Sequence, residues 1–180
     1  FVIRGQFDAY LKLMDKYGLT YAEVSDGSIN IPHADKCRYI KTISARATVI
    51  SEVGSKEEGI LIKPAKWISM IQKELDAGAW KVIAEARESG TVGIYRPSGK
   101  AHVVLIDRIL AKIPAESIIW ETPQKSQQAW FIKLLGTNVN LGNIAPNEVI
   151  ALETLRLGLR SDTFFSFLPK NFAAQYKIDK

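Results

Sequence analysis

Short apolar segments alternate with amphipathic helical segments along almost the whole chain, and that alternation restricts the fold more than any other feature. Gln6 to Tyr17 place Phe7, Tyr10, Leu11, Leu13 and Met14 at helical spacing, with Gly18 as the stop. Residues 20–25 read as a strand, followed by the turn Asp26-Gly27-Ser28. A helix is predicted over 32–45, with Pro32 at its first position. A second strand, 47–53, closes at Gly54. The helix over 64–77 starts at Pro64, puts Trp67, Met70, Ile71, Glu74 and Leu75 on one face, and ends at Gly78. A third strand covers 80–86. The polar, glycine-rich run from Arg87 to Gly93 reads as a loop. Helices over 101–112, 124–134 and 147–158 then alternate with strands at 117–121 and 138–142. Asn147 is the expected N-cap of the last long helix. Residues 164–180 read as a tail with an aromatic start, Phe164, Phe165 and Phe167.

Strands that are apolar through their middles and alternate with helices predict a parallel sheet covered on both sides. The two architectures of that kind are a doubly wound open sheet and a (β/α)8 barrel. No strand is followed by G-x-G-x-x-G or by a P-loop, which weakens the nucleotide-binding sheet. At 180 residues the chain is expected to form one domain over 1–165, with 166–180 as a C-terminal tail. Its single cysteine excludes a disulfide framework and a cysteine-based zinc cluster. No apolar run approaches the ~18 residues of a membrane span, and the start at Phe1 has no signal-peptide pattern, so a cytoplasmic location without membrane association is expected. The net charge of +5 comes from 24 basic and 19 acidic residues. The densest basic neighbourhood, Lys36, Arg38, Lys41 and Arg46, scatters around its helix. Nucleic acid is therefore not an expected partner; a small anion is.

The strand ends share a chemistry. The first carries Glu23, Ser25 and Asp26, the second Glu52 with Lys56 just beyond, the third Glu85, Arg87 and Glu88. The fourth carries Glu121, Gln124 and Lys125, and the fifth Asn138, Asn140 and Asn143. In a parallel α/β fold all these ends lie on one side, where active sites sit. Several of the carboxylates interrupt apolar strands, as in Ala84-Glu85-Ala86 and Trp120-Glu121-Thr122, and a charge there is costly unless paired or metal-bound. Such carboxylates suit a hard cation such as Mg²⁺. Interleaved Lys56, Arg87 and Lys125 suit a phosphate or carboxylate substrate. A lysine beside the cation serves as general acid or base. Together they suggest a phosphorylated carboxylic acid handled through an enolate.

At these residues the chain resembles the phosphosulfolactate synthase family. The resemblance is carried by Ala22-Glu23-Val24-Ser25-Asp26-Gly27-Ser28, Ser51-Glu52-Val53-Gly54-Ser55-Lys56, Glu85-Ala86-Arg87-Glu88-Ser89-Gly90 and Glu121-Thr122-Pro123-Gln124-Lys125-Ser126-Gln127-Gln128. Two further blocks are Asn138-Val139-Asn140-Leu141-Gly142-Asn143-Ile144 and the run from Leu152 to Phe164. The resemblance implies a (β/α)8 TIM-type barrel that adds sulfite to phosphoenolpyruvate with Mg²⁺, giving 2-phospho-3-sulfolactate. That is a step toward coenzyme M in methanogens and toward sulfolactate in bacteria. It implies that sulfite attacks the methylene carbon, that Mg²⁺ holds the aci-carboxylate, and that a lysine, here Lys56, delivers the proton. Glu52, Glu85 and Glu121 are the expected metal residues. Arg87, Lys125, Ser25 and Asn143 are the expected substrate residues. A complete barrel rarely takes fewer than about 200 residues. The first helix here matches the third of the family, so three strands are expected ahead of Phe1, or a covering chain in a homo-oligomer.

The remaining residues read as structural. Cys37 is a packed or surface thiol without an apparent histidine partner, and His33 is a surface or capping residue. His102 has no metal-spaced companion. Trp67, Trp80, Trp120 and Trp130 are expected in packing. Glu153, Arg156 and Arg160 share a helical face and are expected to form an ion-pair network. Ser89 and Ser126 lack a histidine–carboxylate relay. Two other functions compete with sulfite addition. One is a non-catalytic stress-associated interaction protein, as in plant members of the family, for which intact Lys56 and strand-end glutamates are unneeded. The other is a Schiff-base aldolase using Lys56, disfavoured by the surrounding carboxylates.

Overall fold

The helix and strand periods written into the sequence are realised with boundaries displaced by one or two residues at most elements. The computed structural model describes residues 1–26, 29, 31–54 and 62–176, except the side chains of Ala173 and Ala174. In chain order the elements are α1 (Phe7–Tyr17), β1 (Tyr21–Val24), α2 (His33–Ser44), β2 (Thr48–Val53), α3 (Pro64–Asp76), β3 (Ala79–Ala84) and α4 (Val103–Leu110). They continue with β4 (Ile118–Glu121), α5 (Lys125–Leu135), β5 (Leu141–Gly142), α6 (Val149–Arg156), α7 (Phe164–Phe167) and α8 (Lys170–Tyr176). Pro64 opens α3 at a position where its missing N–H costs nothing. Gly18 closes α1. Among the described residues no helix is long and apolar enough to cross a membrane.

The five strands pair in the order β1-β2-β3-β4-β5, all parallel. Every crossover therefore steps the same way across the sheet. Because such crossovers are right-handed, the connecting helices all fall on one face. A doubly wound sheet instead reverses its strand order at a switch point. The winding is that of a (β/α)8 barrel, over five consecutive units. The expectation of helices on both faces is corrected accordingly.

Burial follows the register. Ala22, Val49, Ser51, Val53, Val82, Ala84, Ile118 and Trp120 form the helix-facing rows and are all buried. Ile40, Ile43, Trp67, Ile71, Ile106, Ile109, Phe131 and Ile132 complete that core from the helices. Trp120 stacks on Phe131 with ring centroids 4.8 Å apart. Burying a side chain of this size contributes roughly 1.5–3 kcal/mol or more relative to exposure, so this layer holds the fold. The other face carries Glu23, Ile50, Glu52, Lys81, Ile83, Ile119 and Glu121, of which only Glu52 is fully buried. Three isoleucines on that open face hide the alternation from a sequence reading, which is why the strands read as apolar throughout.

Four local expectations change. Trp80 falls where the β2–β3 register shifts and is 55% exposed, with the Lys81 ammonium over its ring. Asn147 lies inside a 3-10 turn, Pro146–Glu148, so it does not cap α6. Among the described residues Arg156 makes no ion pair with Glu153; its guanidinium donates to the carbonyls of Thr137 and Val139, tying α6 to the approach to β5. Residues 164–176, read as a tail, carry the short helices α7 and α8.

Candidate active site at the carboxyl ends of the strands

The open face gathers its carboxylates toward the strand ends. Glu52 pairs in register with Ile83. Glu85 follows Ala84, the partner of Trp120, and so comes level with Glu121. The Glu85 amide also extends the ladder by donating to the Val53 carbonyl at 3.0 Å. Glu52 and Glu85 are 6% and 3% exposed, a placement that needs compensation by charge or hydrogen bonds. Glu85, Ala86, Arg87, Glu88, Ser89, Glu121 and Asn143 line one open pocket of about 630 Å³. Among the described residues the lining carries three carboxylates, Glu85, Glu88 and Glu121, and one guanidinium, that of Arg87.

Neighbouring elements fix this pocket. The Ala86 amide donates to Glu121 Oε2 at 2.6 Å. Asn143 Nδ2 donates to the Ala86 carbonyl at 3.1 Å, from a backbone with φ of 56° that asparagine tolerates. The Tyr95 hydroxyl donates to the Glu121 carbonyl at 2.7 Å. Burial, and then the Glu121 charge, push the Tyr95 phenol far above its ordinary value, so it stays a donor. Gln127 Nε2 holds the carbonyls of Gly90 and Gly99 at 2.8 and 3.1 Å, and Gln124 Nε2 holds that of Ser89 at 2.6 Å. The same two glutamines form the capping box of α5. The helix start thereby also fixes the loop that carries Arg87 and Glu88.

The structure divides the expected site residues into groups. Glu85, Arg87, Glu121 and Asn143 share the pocket. Ser25 donates its hydroxyl to Glu52 Oε1 at 2.6 Å, one strand pair away. Lys125 is not part of the pocket lining; its ammonium lies 2.6 Å from Asp162 Oδ2, linking the start of α5 to the segment before α7. Lys56 lies outside the described residues.

The Lys125 contact has a pH signature. A hydrogen bond from Lys125 holds the Asp162 carboxyl below its ordinary value. A depressed acid contributes stability above its unfolded pKa and loses it as pH falls through the folded value. Both side chains are partly exposed, so screening limits the contribution to about 1 kcal/mol or less. Lys125→Met is expected to melt slightly below the wild type at pH 7, with the gap closing below about pH 4. Thermal unfolding at a series of pH values checks this; a gap that persists at low pH contradicts it.

A donor set of carboxylates alone suits Mg²⁺, which keeps several waters and takes one or two protein oxygens. Among the described residues no three of His, Cys, Asp and Glu converge as a ligand group. Glu85 and Glu121 are the pocket carboxylates that would hold such a hydrated ion, and among the described residues Glu52 does not join them in a three-ligand group.

Several residues went unrecognised in the sequence. Lys36 and Glu74, both 0% exposed, pair at 3.0 Å, and His33 Nε2 lies 3.0 Å from the same Glu74 oxygen. The available signal was Glu74 on the apolar face of its helix. Cys37 does have a histidine neighbour, His33 Nδ1 at 3.9 Å, but burial and then the Glu74 charge push its thiol up, away from a reactive thiolate. Tyr95 and Gln127 were also missed, although Gln at both capping-box positions was readable.

The family model for (2R)-phospho-3-sulfolactate synthase (ComA) matches residues 1–162. The chain is 45% identical over 152 residues to a phosphosulfolactate synthase of Bacillus subtilis, covering 83% of this chain and 60% of that protein. It is 40% identical over 165 residues to the phosphosulfolactate synthase of Methanothermobacter thermautotrophicus, covering 89% and 64%. For that of Methanocaldococcus jannaschii the identity is 41% over 165 residues, covering 89% and 66%. The chain thus spans a little under two thirds of the length of these curated relatives.

Proposed function

The chain belongs to the (2R)-phospho-3-sulfolactate synthase family, and from that premise we propose that the protein is a lyase that joins sulfite to phosphoenolpyruvate. The observation that carries the reading is the pocket at the ends of β3, β4 and β5. Its three carboxylates and single Arg87 suit an anionic substrate that arrives with a divalent cation. Mg²⁺ at Glu85 and Glu121 would offset the substrate charge and stabilise electron density entering its carboxylate.

The protein's own groups have separable tasks. Arg87 engages the phosphate or carboxylate of phosphoenolpyruvate. The Ala86 amide fixes the Glu121 carboxylate, and Asn143 fixes Ala86. Sulfite forms a carbon–sulfur bond at the methylene carbon with its sulfur lone pair, and the double-bond electrons move toward the carboxylate. The Lys56 ammonium then protonates the adjacent carbon, giving 2-phospho-3-sulfolactate with no group released. Ser25 and Glu52 sit beside this site through their mutual hydrogen bond.

The test is incubation of the full-length gene product with phosphoenolpyruvate, sulfite and Mg²⁺, with mass detection of a sulfonated phosphoester. Product that requires both substrates supports the reading. Absence of product overturns it, and absence of phosphoenolpyruvate binding by calorimetry would then favour the non-catalytic role.

A further inference from the structure

We propose that Lys36 is a positioning residue for this site, acting through the main chain of β2 and the loop after β1. Its side chain runs from α2 into the helix-covered side of the sheet and is 0% exposed. Among the described residues the Lys36 ammonium donates hydrogen bonds to Asp26 Oδ1 at 3.0 Å and to the main-chain carbonyl of Glu52, and it forms an ion pair with Glu74 Oε1 at 3.0 Å. The two hydrogen bonds give the arrangement its direction, and the ion pair supplies its charge balance.

These partners belong to the site's supports. Asp26 follows Ser25, whose hydroxyl bonds the Glu52 carboxylate, and the Glu52 carbonyl is the one Lys36 holds. Lys36 thus clamps the ends of two adjacent strands from behind, while Ser25 and Glu52 meet in front. Glu74 supplies the counter-charge from α3, and His33 shares its oxygen at 3.0 Å. Glu74 Oε2 is buried with no hydrogen-bond partner among the described residues, so the pair is imperfectly satisfied. A buried ion pair is often replaceable by apolar side chains without loss of stability. Stability alone does not account for placing one at these two strand ends; geometric control does.

The test compares the full-length wild type with the double variant Lys36→Met, Glu74→Leu, which removes both charges together and leaves neither buried alone. The variant is expected to remain folded by circular dichroism. Amide exchange over residues 22–26 and 50–54 is expected to rise by about tenfold or more, and kcat to fall about 10- to 100-fold with KM little changed, as when a group supporting a site is lost. If the variant does not fold, Lys36→Gln, Glu74→Gln carries the same readouts. Unchanged exchange, or unchanged kcat, overturns the proposal. The kinetic arm rests on the sulfite-addition reading. A wild type that makes no product defeats that reading, while the exchange arm still decides whether Lys36 holds the strand ends.

Discussion

Replacing Lys56 with alanine is expected to lower the rate of sulfonated-product formation by about 10²- to 10⁴-fold, the usual contribution of a positioned general acid. Addition of sulfite leaves excess electron density at the carbon that bears the phosphate, and the reaction completes only when that carbon takes a proton. The described pocket offers poor donors for the task. Glu85, Glu88 and Glu121 are carboxylates, and Arg87 does not release a proton near neutrality. The Tyr95 phenol is held far above its ordinary value by burial, and its hydroxyl is already committed to the Glu121 carbonyl. Lys56, three residues after β2 ends at Val53, is the acid the family resemblance assigns. Loss of the acid should leave phosphoenolpyruvate and Mg²⁺ binding near wild type, because the interaction is made in the transition state. Lys56→Arg should not restore the rate, since a guanidinium keeps the charge but not the exchangeable acidity. Turnover that survives Lys56→Ala removes the residue from the mechanism.

Much of this architecture was legible because each element carries its own local signal. Pro64 marks the start of α3, and the spacing of Trp67 and Ile71 marks its buried face. Strand ends rich in carboxylates pointed to the candidate pocket, because a charge inside an apolar strand needs a physical reason. Illegible features depended on partners distant in sequence. Ile50, Ile83 and Ile119 are as apolar as the core rows, yet they line the open face, and only the strand order reveals it. Lys36 reads as one more basic residue on a polar helix until α3 brings Glu74 within 3.0 Å. Trp80 reads as core because its exposure follows from a register shift that no local pattern announces. Arg156 satisfies carbonyls instead of carboxylates because its partners sit on the approach to β5 rather than on its own helix face.

Gly93→Ala is expected to be far more damaging than a methyl added at an open glycine such as Gly18, through the backbone that carries Glu85. Gly93 has φ of 72°, where an L side chain costs about 1–2 kcal/mol. A Cβ there would also lie 2.0 Å from the Glu85 carbonyl oxygen and 2.9 Å from its carbonyl carbon. Those are main-chain atoms, so no rotamer change relieves the contact. The Glu85 carbonyl already accepts the Ile94 amide at 3.2 Å, and the Ile94 carbonyl accepts that of His102 at 3.0 Å, which pins the loop on both sides. Either the loop lifts and those bonds break, or Glu85 moves out of its place beside Glu121. Gly18→Ala separates the two costs: its φ is 61°, but a Cβ there meets nothing within 4 Å. The control should lose only the conformational cost, about 1 kcal/mol, whereas Gly93→Ala should lose more than about 3 kcal/mol. For a chain of this size that corresponds to a drop in Tm of roughly 6–12 °C, with weaker Mg²⁺ binding because Glu85 is displaced. Equal losses in the two variants would mean that the loop yields freely and that Gly93 does not hold Glu85 in place.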